Sequence, residues 1–304
     1  MSQLHTQDAS PESLGAARAR CSPASAALRS AVRGFALFMH VSGLNAVRRR
    51  LSKALLGPRL IVLAYHRVND FASDTSRYTV SPAQLDAQLA HIRKAYRVIS
   101  FAQALQMRAE PQRAGDAAII TFDDGYRDNY TCAAPILRKH GLGACFFLPA
   151  DCIVSAADQG EAQAAPDHLA RMTSEQAKAL YDMGFELGAH TRSHPYLLQL
   201  PPDAAREEIV GSRQELEQRL GVAIPYFAYP GGKKGVHYSA ELARTAAEVF
   251  EVCCTTTRGR NSIRTMDTLE VRRICVQSWW SLFHFARELE GTFDLLGRLP
   301  ALWQ

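Results

Sequence analysis

The chain has 304 residues, 47% of them hydrophobic, so it can bury a substantial core as one large domain or two small ones. Its formal net charge of +5 is modest and is not clustered into a basic stripe, which argues against a nucleic-acid-binding protein. The seven cysteines show neither the spacing of a disulfide framework nor a CxxC pair. We therefore expect mostly buried, reduced thiols, as in a cytosolic protein.

The N-terminal segment 1–56 differs in composition from the rest of the chain. Its first half is rich in alanine, serine and polar residues and is predicted to be disordered or weakly structured. The stretch 33–56 has apolar residues at helical spacing and ends in a basic half that contains Arg48, Arg49 and Arg50. We expect a helix packed on the domain or, alternatively, an amphipathic helix on an anionic membrane surface. The apolar part is too short to span a bilayer and too far from the first residue for a secretory signal, which favours a cytoplasmic location, peripheral to the inner membrane face in the second case.

From Arg59 onward, apolar runs alternate with helical patterns. The predicted strands, in chain order, are RLIVLAYH, RVIS, DAAIITFD, ACFFLPA, FELGAH, YFAYPGG and FEVCCTTT. The predicted helices are SPAQLDAQLAHIRKAY, FAQALQMRA, TCAAPILRKHG, TSEQAKALYDMG, PPDAAREEIVGSRQELEQRLG and SAELARTAAEV. This alternation predicts βαβ units and a parallel sheet. Because no glycine-rich nucleotide loop follows the first strand, a barrel is favoured over a nucleotide-binding doubly wound sheet, with 151–172 as a loop over one end.

Polar side chains recur where the predicted strands end. They are His66, the adjacent Asp123 and Asp124, His190, and the turn 229–232. The carboxyl ends of parallel strands meet at one end of a barrel, which is where barrel enzymes assemble their catalytic residues. We therefore expect these groups to lie close together.

Two motifs carry candidate catalytic chemistry: TFDDGY, with Asp123 and Asp124, and HTRSH, with His190 and His194. Adjacent carboxylates in apolar surroundings repel each other unless a cation lies between them. The histidines are four residues apart, so one helical turn would place both imidazoles on one side. Two imidazoles and a carboxylate are a common catalytic metal set, which predicts Asp124, His190 and His194 as ligands and Asp123 as the general base. Each motif alone is common on helix surfaces or in turns, but the pair, each at a strand end, predicts a metal site.

The two motifs resemble those of the polysaccharide deacetylase family, also called the NodB homology domain or carbohydrate esterase family 4. The resemblance implies an α/β fold, a distorted (β/α) barrel of about seven parallel strands. It also implies hydrolysis of an N-acetyl group on a sugar with a divalent metal ion, most often Zn²⁺, with Co²⁺, Ni²⁺ or Fe²⁺ as alternatives. The family places the base at the first aspartate and the metal at the second aspartate and both histidines, as the residues themselves suggest. We expect a deacetylase domain at 57–291 and a C-terminal tail at 292–304.

The arginine that holds the base in many members has no direct counterpart here, because Ala228 in FAYPGG stands where that arginine would fall. A branch of the family that acts on bacterial exopolysaccharides has this form of the turn. If the chain resembles this branch, Arg273 or its neighbour Arg272 is expected to hold Asp123.

The same turn is expected to carry a substrate and oxyanion site at Tyr229, Pro230 and Gly231. The family resemblance implies that the backbone N–H of Gly231 helps to bind the oxyanion. Tyr229 is predicted either to stack on a sugar or simply to pack in the core.

Two histidines are candidates for the general acid. His66, in LAYHRV, ends the first predicted strand, as a histidine does in the exopolysaccharide branch. His284, in SLFHF, falls in a predicted amphipathic helix and is expected at the surface. The position at a strand end favours His66.

The predicted function is therefore a metal-dependent hydrolase that removes N-acetyl groups from an amino sugar in a polysaccharide or its precursor, in exopolysaccharide biosynthesis. The alternatives are a deacylase of a lipid-linked sugar, an O-acetyl ester or a formamide, a catalytically inactive glycan-binding member, and a membrane-surface scaffold built on the helix at 33–56. The expected partner is an N-acetylated glycan or lipid-linked sugar, with no nucleic acid.

Overall fold

The computed structural model describes residues 57–110, 115–157 and 166–293, together with 34, 38 and 41–44. The predictions for 1–56, including membrane contact through 33–56, and for the tail 292–304 fall almost entirely outside these residues. Within the described part, no helix is both long and apolar enough to cross a bilayer.

The described residues form a mostly parallel sheet flanked by helices. The strands are β1 (Arg59–Tyr65), β2 (Arg67–Val68), β3 (Thr79–Val80), β4 (Arg97–Val98), β5 (Ala117–Phe122), β6 (Cys145–Leu148), β7 (Glu186–Ala189), β8 (Tyr226–Ala228), β9 (Val252–Cys254), β10 (Asn261–Ser262) and β11 (Ile274–Cys275). The main sheet runs in the order β10-β1-β5-β6-β7-β8-β9, and only β10 pairs antiparallel within it. Strand β4 pairs with β5, β11 pairs with β1, and β2 and β3 form a separate pair.

The helices alternate with these strands. They are α1 (Pro82–Ala95), α2 (Phe101–Ala109), α3 (Ala134–His140), α4 (Ser174–Asp182), α5 (Pro202–Leu220), α6 (Ala240–Ala247) and α7 (Leu282–Glu290). Their starts follow the sequence signals: Ser81, Ser100 and Thr173 each form a capping box with a glutamine three residues later. At their other ends, α3 and α5 stop at glycines with a positive φ.

The segment 268–276 lies between the two ends of the parallel sheet. On one side, Cys253 N–H donates to Thr268 O at 2.7 Å and Thr255 N–H donates to Val271 O at 2.9 Å. On the other side, Val276 N–H donates to Ala64 O at 2.9 Å. The sheet thus curls into a half-barrel bridged by this segment, and the predicted distorted barrel is confirmed.

Strand periodicity divides the core into an outer layer and an interior. In β1, Ile61 and Leu63 pack with the helices, whereas Leu60 and Val62 belong to the inner cluster. The same alternation places Ile119 of β5 in the inner cluster. The two positions that follow it at a spacing of two, Thr121 and Asp123, are polar and also buried. The barrel interior therefore changes from apolar to polar toward the carboxyl ends of the strands.

Candidate active site

The two adjacent aspartates leave strand β5 in different backbone conformations. Asp123 still follows the sheet, because its N–H donates to Tyr65 O at 2.9 Å. Asp124 has a φ of +73°, and Gly125 follows with a φ of +64°. Aspartate is one of the few residues that tolerates this left-handed region. The reversal lets neighbouring carboxylates face different partners.

Asp123 forms a buried, two-bond ion pair with Arg273. The two guanidinium NH2 groups donate to its two carboxylate oxygens at 2.7 Å each, and both residues are almost inaccessible to solvent. Arg273 also donates through Nε to Thr255 O at 2.9 Å and through Nη1 to Thr121 Oγ1 at 3.1 Å. The neighbouring Arg272 is exposed, so Arg273 is the arginine that contacts the aspartate.

The ion pair keeps Asp123 ionised. Burial alone would raise the pKa of Asp123, but the charges of Arg273 and His190 and the hydrogen bonds from Arg273 bring it below its ordinary value. Burial also acts to lower the pKa of Arg273, yet the Asp123 charge raises it overall. A carboxylate that is ionised and held in one orientation meets the first requirement of a general base.

Asp124, His190 and His194 converge on one point. Asp124 Oδ1 lies 3.4 Å from His190 Nε2 and 3.2 Å from His194 Nε2, and one ligand atom from each residue lies within 4.8 Å of the others. Two atoms bound to one zinc ion at its usual distances and tetrahedral angle would be about 3.3–3.4 Å apart. The three side chains therefore fit a divalent cation.

The hydrogen bonding of His190 supports the same conclusion. Its Nδ1 lies 2.7 Å from Ala228 O, and because a carbonyl only accepts, Nδ1 must carry the proton. In the neutral ring the lone pair of Nε2 then faces Asp124 Oδ1, an arrangement that repels unless a cation or a second proton lies between them. A backbone carbonyl that fixes a histidine tautomer in this way is typical of metal ligands. Burial would raise the pKa of Asp124, but the contacts with His190 and His194 hold it well below its ordinary value.

The turn that carries the two histidines is not the helical turn predicted from their spacing, and that prediction is wrong. Thr191 and His194 have φ values of +61° and +65°. Thr191 Oγ1 donates to His190 O at 2.6 Å and accepts from His194 N–H at 3.0 Å. The imidazoles converge because this hydroxyl closes a tight left-handed turn.

His66 lies at the end of β1, near the two aspartates. Its ring stacks on Tyr78 with centroids 4.8 Å apart, and Asn129 Nδ2 donates to its carbonyl at 2.7 Å. Its Nδ1 is buried and has no hydrogen-bond partner among the described residues. Burial lowers the pKa of His66, and the charges of Asp124 and Asp123 offset this only in part.

His284, expected at the surface, is buried, so that expectation is wrong. Its ring stacks on Phe293 at 4.8 Å and contacts Trp279 and Trp280, while its Nε2 lies 3.6 Å from Glu288 Oε1. These contacts belong to the packing of α7, and none involves Asp123 or the metal ligands. The amphipathic pattern could not indicate this burial, because the residues that cover the histidine are aromatic side chains from the segments before and after α7.

In the turn after β8, the structure decides between the two alternatives left open for Tyr229. This side chain is fully buried and stacks face to face on Tyr238 at 3.9 Å, so it packs in the core and has no surface to offer a sugar. Pro230 is also buried. Gly231 has a φ of +67°, and a Cβ there would lie 2.3 Å from His237 Nδ1, so only glycine fits. Among the described residues, no hydrogen-bond acceptor is found for Gly231 N–H.

One contributor to the site has no sequence signal. Arg171, from the loop 151–172, donates through Nη1 to Asp124 O and stacks on Tyr126 at 4.1 Å. The guanidinium of Arg67 also lies over the Tyr126 ring, 4.4 Å from its centroid, and donates to its hydroxyl at 2.9 Å. Arg171 thus holds the backbone of a metal-ligand candidate, although no motif or periodicity marks it.

Comparison with known proteins identifies a family domain within the chain. Residues 111–249 match the family described as Polysaccharide deacetylase. The Bacillus subtilis (strain 168) protein named "Putative polysaccharide deacetylase YxkH" is 25% identical over 236 residues, which are 77% of each chain. The poly-beta-1,6-N-acetyl-D-glucosamine N-deacetylase of Escherichia coli K12 is 34% identical over 84 residues, 26% of this chain but only 12% of that protein.

A solved structure extends the match to the fold. The structure of IcaB from Ammonifex degensii superposes with a TM-score of 0.61 at 27% identity, over 76% of this chain and 97% of that one. Residues 111–249 are therefore a polysaccharide deacetylase domain, and the matches support a hydrolase of the carbohydrate de-N-acetylase class.

Proposed function

We propose that this enzyme removes N-acetyl groups from an amino sugar of a polysaccharide or its precursor, in exopolysaccharide biosynthesis, and that it depends on a divalent metal ion. The proposal rests on the different surroundings of two adjacent aspartates, Asp123 and Asp124. Asp123 is ionised and clamped by Arg273, while Asp124 faces His190 and His194 at the spacing of metal ligands. A base beside a Lewis-acid site is the arrangement that amide hydrolysis by water requires.

The substrate class is supported by the relatives. The Escherichia coli relative is named for N-deacetylation of poly-beta-1,6-N-acetyl-D-glucosamine, although the match covers a small part of that protein. An N-acetylated glycan is therefore the first substrate to test. A cytoplasmic location and a lipid-linked substrate remain part of the proposal.

The metal site would hold the ion through Asp124, His190 and His194, with Zn²⁺ first among the candidates. A bound divalent ion would polarise the acyl carbonyl and lower the pKa of a coordinated water. Arg273 holds Asp123 in one orientation, so its carboxylate can take a proton from the attacking water. The water oxygen forms the new bond to the acyl carbon.

The remaining groups act on the oxyanion and the leaving group. Gly231 N–H, which has no acceptor in the described structure, donates to the oxyanion as it forms. His66 donates a proton to the nitrogen as the carbon–nitrogen bond breaks, which releases acetate and a free amine. Burial lowers the pKa of His66, which makes its protonated form a stronger acid but a less populated one, and solvent returns the proton after each turnover.

The test is acetate release from a panel of N-acetylated glycans, with metal content determined on the same samples. We expect Asp123→Asn to keep its metal and lose about 10²–10⁴-fold in turnover. Asp182→Asn is the matched control, because Asp182 is an exposed carboxylate on α4 that pairs with Lys178.

The outcomes separate the alternatives. Full turnover in Asp123→Asn would contradict its assignment as the base. A wild-type protein that binds metal but releases acetate from no member of the panel would favour an inactive glycan-binding protein or a different acyl group. A wild-type protein without metal affinity would contradict metal dependence.

A further inference from the structure

The turn between the two candidate ligands His190 and His194 is held from outside by a single carboxylate. Glu208, on α5, accepts from Arg192 N–H at 2.8 Å and Ser193 N–H at 2.9 Å through Oε2. Its Oε1 accepts from the hydroxyl of Ser193 at 2.7 Å. One side chain thus satisfies three donors of Arg192 and Ser193, two of the three residues that separate the histidines.

This turn needs such support because of its backbone. Thr191 and His194 both adopt the left-handed conformation, which non-glycine residues adopt only when the surroundings hold them there. The opposite side of the turn is held by backbone donors, since Ala150 N–H donates to Thr191 O at 3.1 Å and Asp151 N–H donates to Arg192 O at 2.9 Å. Glu208 therefore completes a clamp whose other side is the loop after β6.

Gly211 on α5 leaves room for two side chains beside this contact. A Cβ at position 211 would lie 2.5 Å from Oε1 of Glu207 and 3.1 Å from Cδ of Arg192. The Arg192 side chain runs over this point and donates to Glu215 at 3.1 Å and to Glu207 at 3.2 Å. Glu207 and Glu208 thus contact the same turn differently: Glu207 pairs with an exposed side chain, and Glu208 binds the backbone.

The two histidines depend on this clamp to different degrees. His190 is buried and its ring is fixed by Ala228 O. His194 is more exposed, with 37% of its side chain accessible, and is held through the turn. Loss of the carboxylate would leave the N–H groups of Arg192 and Ser193 to water, and the turn could relax toward ordinary dihedral angles. Nε2 of His194 would then no longer be kept 3.2 Å from Asp124 Oδ1.

We propose that Glu208 is a positioning residue that sets the affinity of the Asp124, His190 and His194 site for a divalent cation. The inference rests on the proposed metal dependence and adds a residue of this chain that acts through the turn. Groups that orient metal ligands typically change affinity by about 10–100-fold when removed. Because Glu208 binds the backbone between the two histidines and touches neither ligand, we expect the lower end of that range.

The test measures the dissociation constant for Zn²⁺ alone, by competition with a chromophoric chelator, on protein shown to be folded by circular dichroism. We expect Glu208→Ala to bind Zn²⁺ about tenfold more weakly than the wild type. Glu208→Gln should stay within about threefold, because its carbonyl can accept from both N–H groups while its amide donates to the Ser193 hydroxyl. The matched control Glu207→Ala should change by less than about twofold, because it removes only an exposed ion pair.

The outcomes distinguish this inference from the proposed function. A wild-type protein that binds no Zn²⁺ would overturn both. Zn²⁺ binding in the wild type with unchanged affinity in Glu208→Ala, or equal weakening in Glu207→Ala, would overturn only the role of Glu208. If Glu208→Ala does not fold, Glu208→Asp carries the test, since it keeps the charge but withdraws the carboxylate from the turn: weaker binding supports the inference, and unchanged binding overturns it.

Discussion

Asp123 and Asp124 are neighbours in sequence, but their surroundings differ in kind. The charge of Asp123 is compensated within the protein, because both carboxylate oxygens accept hydrogen bonds from Arg273. Its backbone continues the sheet. Asp124 is half-buried in a left-handed conformation, and one of its oxygens faces two imidazole nitrogens at 3.2 and 3.4 Å. The first carboxylate has its counter-charge built in, and the second has a site shaped for one.

The difference shows how one motif can supply two roles. Mutual repulsion of the carboxylates is reduced because each is matched to its own positive group, a guanidinium on one side and a cation site on the other. The backbone reversal at Asp124 is what separates the two directions. Two consecutive residues of an ordinary strand would also point to opposite faces, but one of them would point out of the barrel.

The largest expected effect comes from breaking the ion pair between Asp123 and Arg273. Arg273→Ala leaves Asp123 buried without its partner, and removal of one member of a buried ion pair costs about 3–5 kcal/mol of unfolding free energy. Urea unfolding at neutral pH measures this loss of unfolding free energy. Arg272→Ala is the control, and because that side chain is exposed we expect a change within about 0.5 kcal/mol.

Acid should reduce this difference between Arg273→Ala and the wild type. The pKa of Asp123 is lowered in the folded wild type, so the pair contributes fully above the unfolded value of about 3.9. The contribution is lost as the pH falls through the lowered folded value, where the carboxylate takes up a proton. A destabilisation that stays constant from neutral pH into strong acid would contradict the ion-pair explanation.

A smaller effect is expected from a change beside Asp124, at the candidate metal site. Arg171→Ala removes the donor to Asp124 O and the cation above Tyr126. One hydrogen bond of this kind contributes about 0.5–1.5 kcal/mol, so we expect Zn²⁺ affinity to fall by a corresponding factor of about 2–12. Arg127→Ala is the control, since Arg127 is an exposed residue that pairs with Asp167. Equal affinities in both variants would show that the left-handed Asp124 does not need Arg171.

Most of the half-barrel could be predicted from the sequence because its signals are local. Apolar runs, capping boxes and helix-ending glycines each act within a few residues, and they marked the main strands and helices. The positions of Asp123, Asp124, His190 and His194 were predictable for a related reason. Each follows a strong apolar strand, and parallel strands bring their carboxyl ends together.

The rest depends on contacts between residues distant in sequence. Arg171 reaches Asp124 from a loop without periodicity, and Glu208 reaches the histidine turn from the polar side of α5. The helical turn was expected between the histidines because their spacing fits a helix, but the hydroxyl of Thr191 selects a left-handed turn. Spacing alone could not distinguish the two.

Tyr229 is the clearest case of an ambiguous residue, because a tyrosine near a catalytic turn suits both sugar stacking and core packing. The structure places its ring against Tyr238 and Phe227, with no accessible surface. What decided between the two was the direction of the side chain at the end of β8, which depends on strand register rather than on residue type.

The smallest expected effect tests that packing role. Tyr229→Phe keeps the ring and removes a hydroxyl whose distance to Leu269 O, 3.4 Å, is longer than a good hydrogen bond. We expect the unfolding free energy to fall by less than about 1 kcal/mol. KM and kcat for an N-acetylated glycan should match those of the control Tyr181→Phe, because a buried hydroxyl cannot touch substrate and Tyr181 is an exposed residue on α4. A rise in KM confined to Tyr229→Phe would mean that the turn opens in the complex and exposes the tyrosine to the sugar. The oxyanion donor assigned to Gly231 would then lie on a mobile turn. Only the base, Asp123 held by Arg273, would remain in a fixed position.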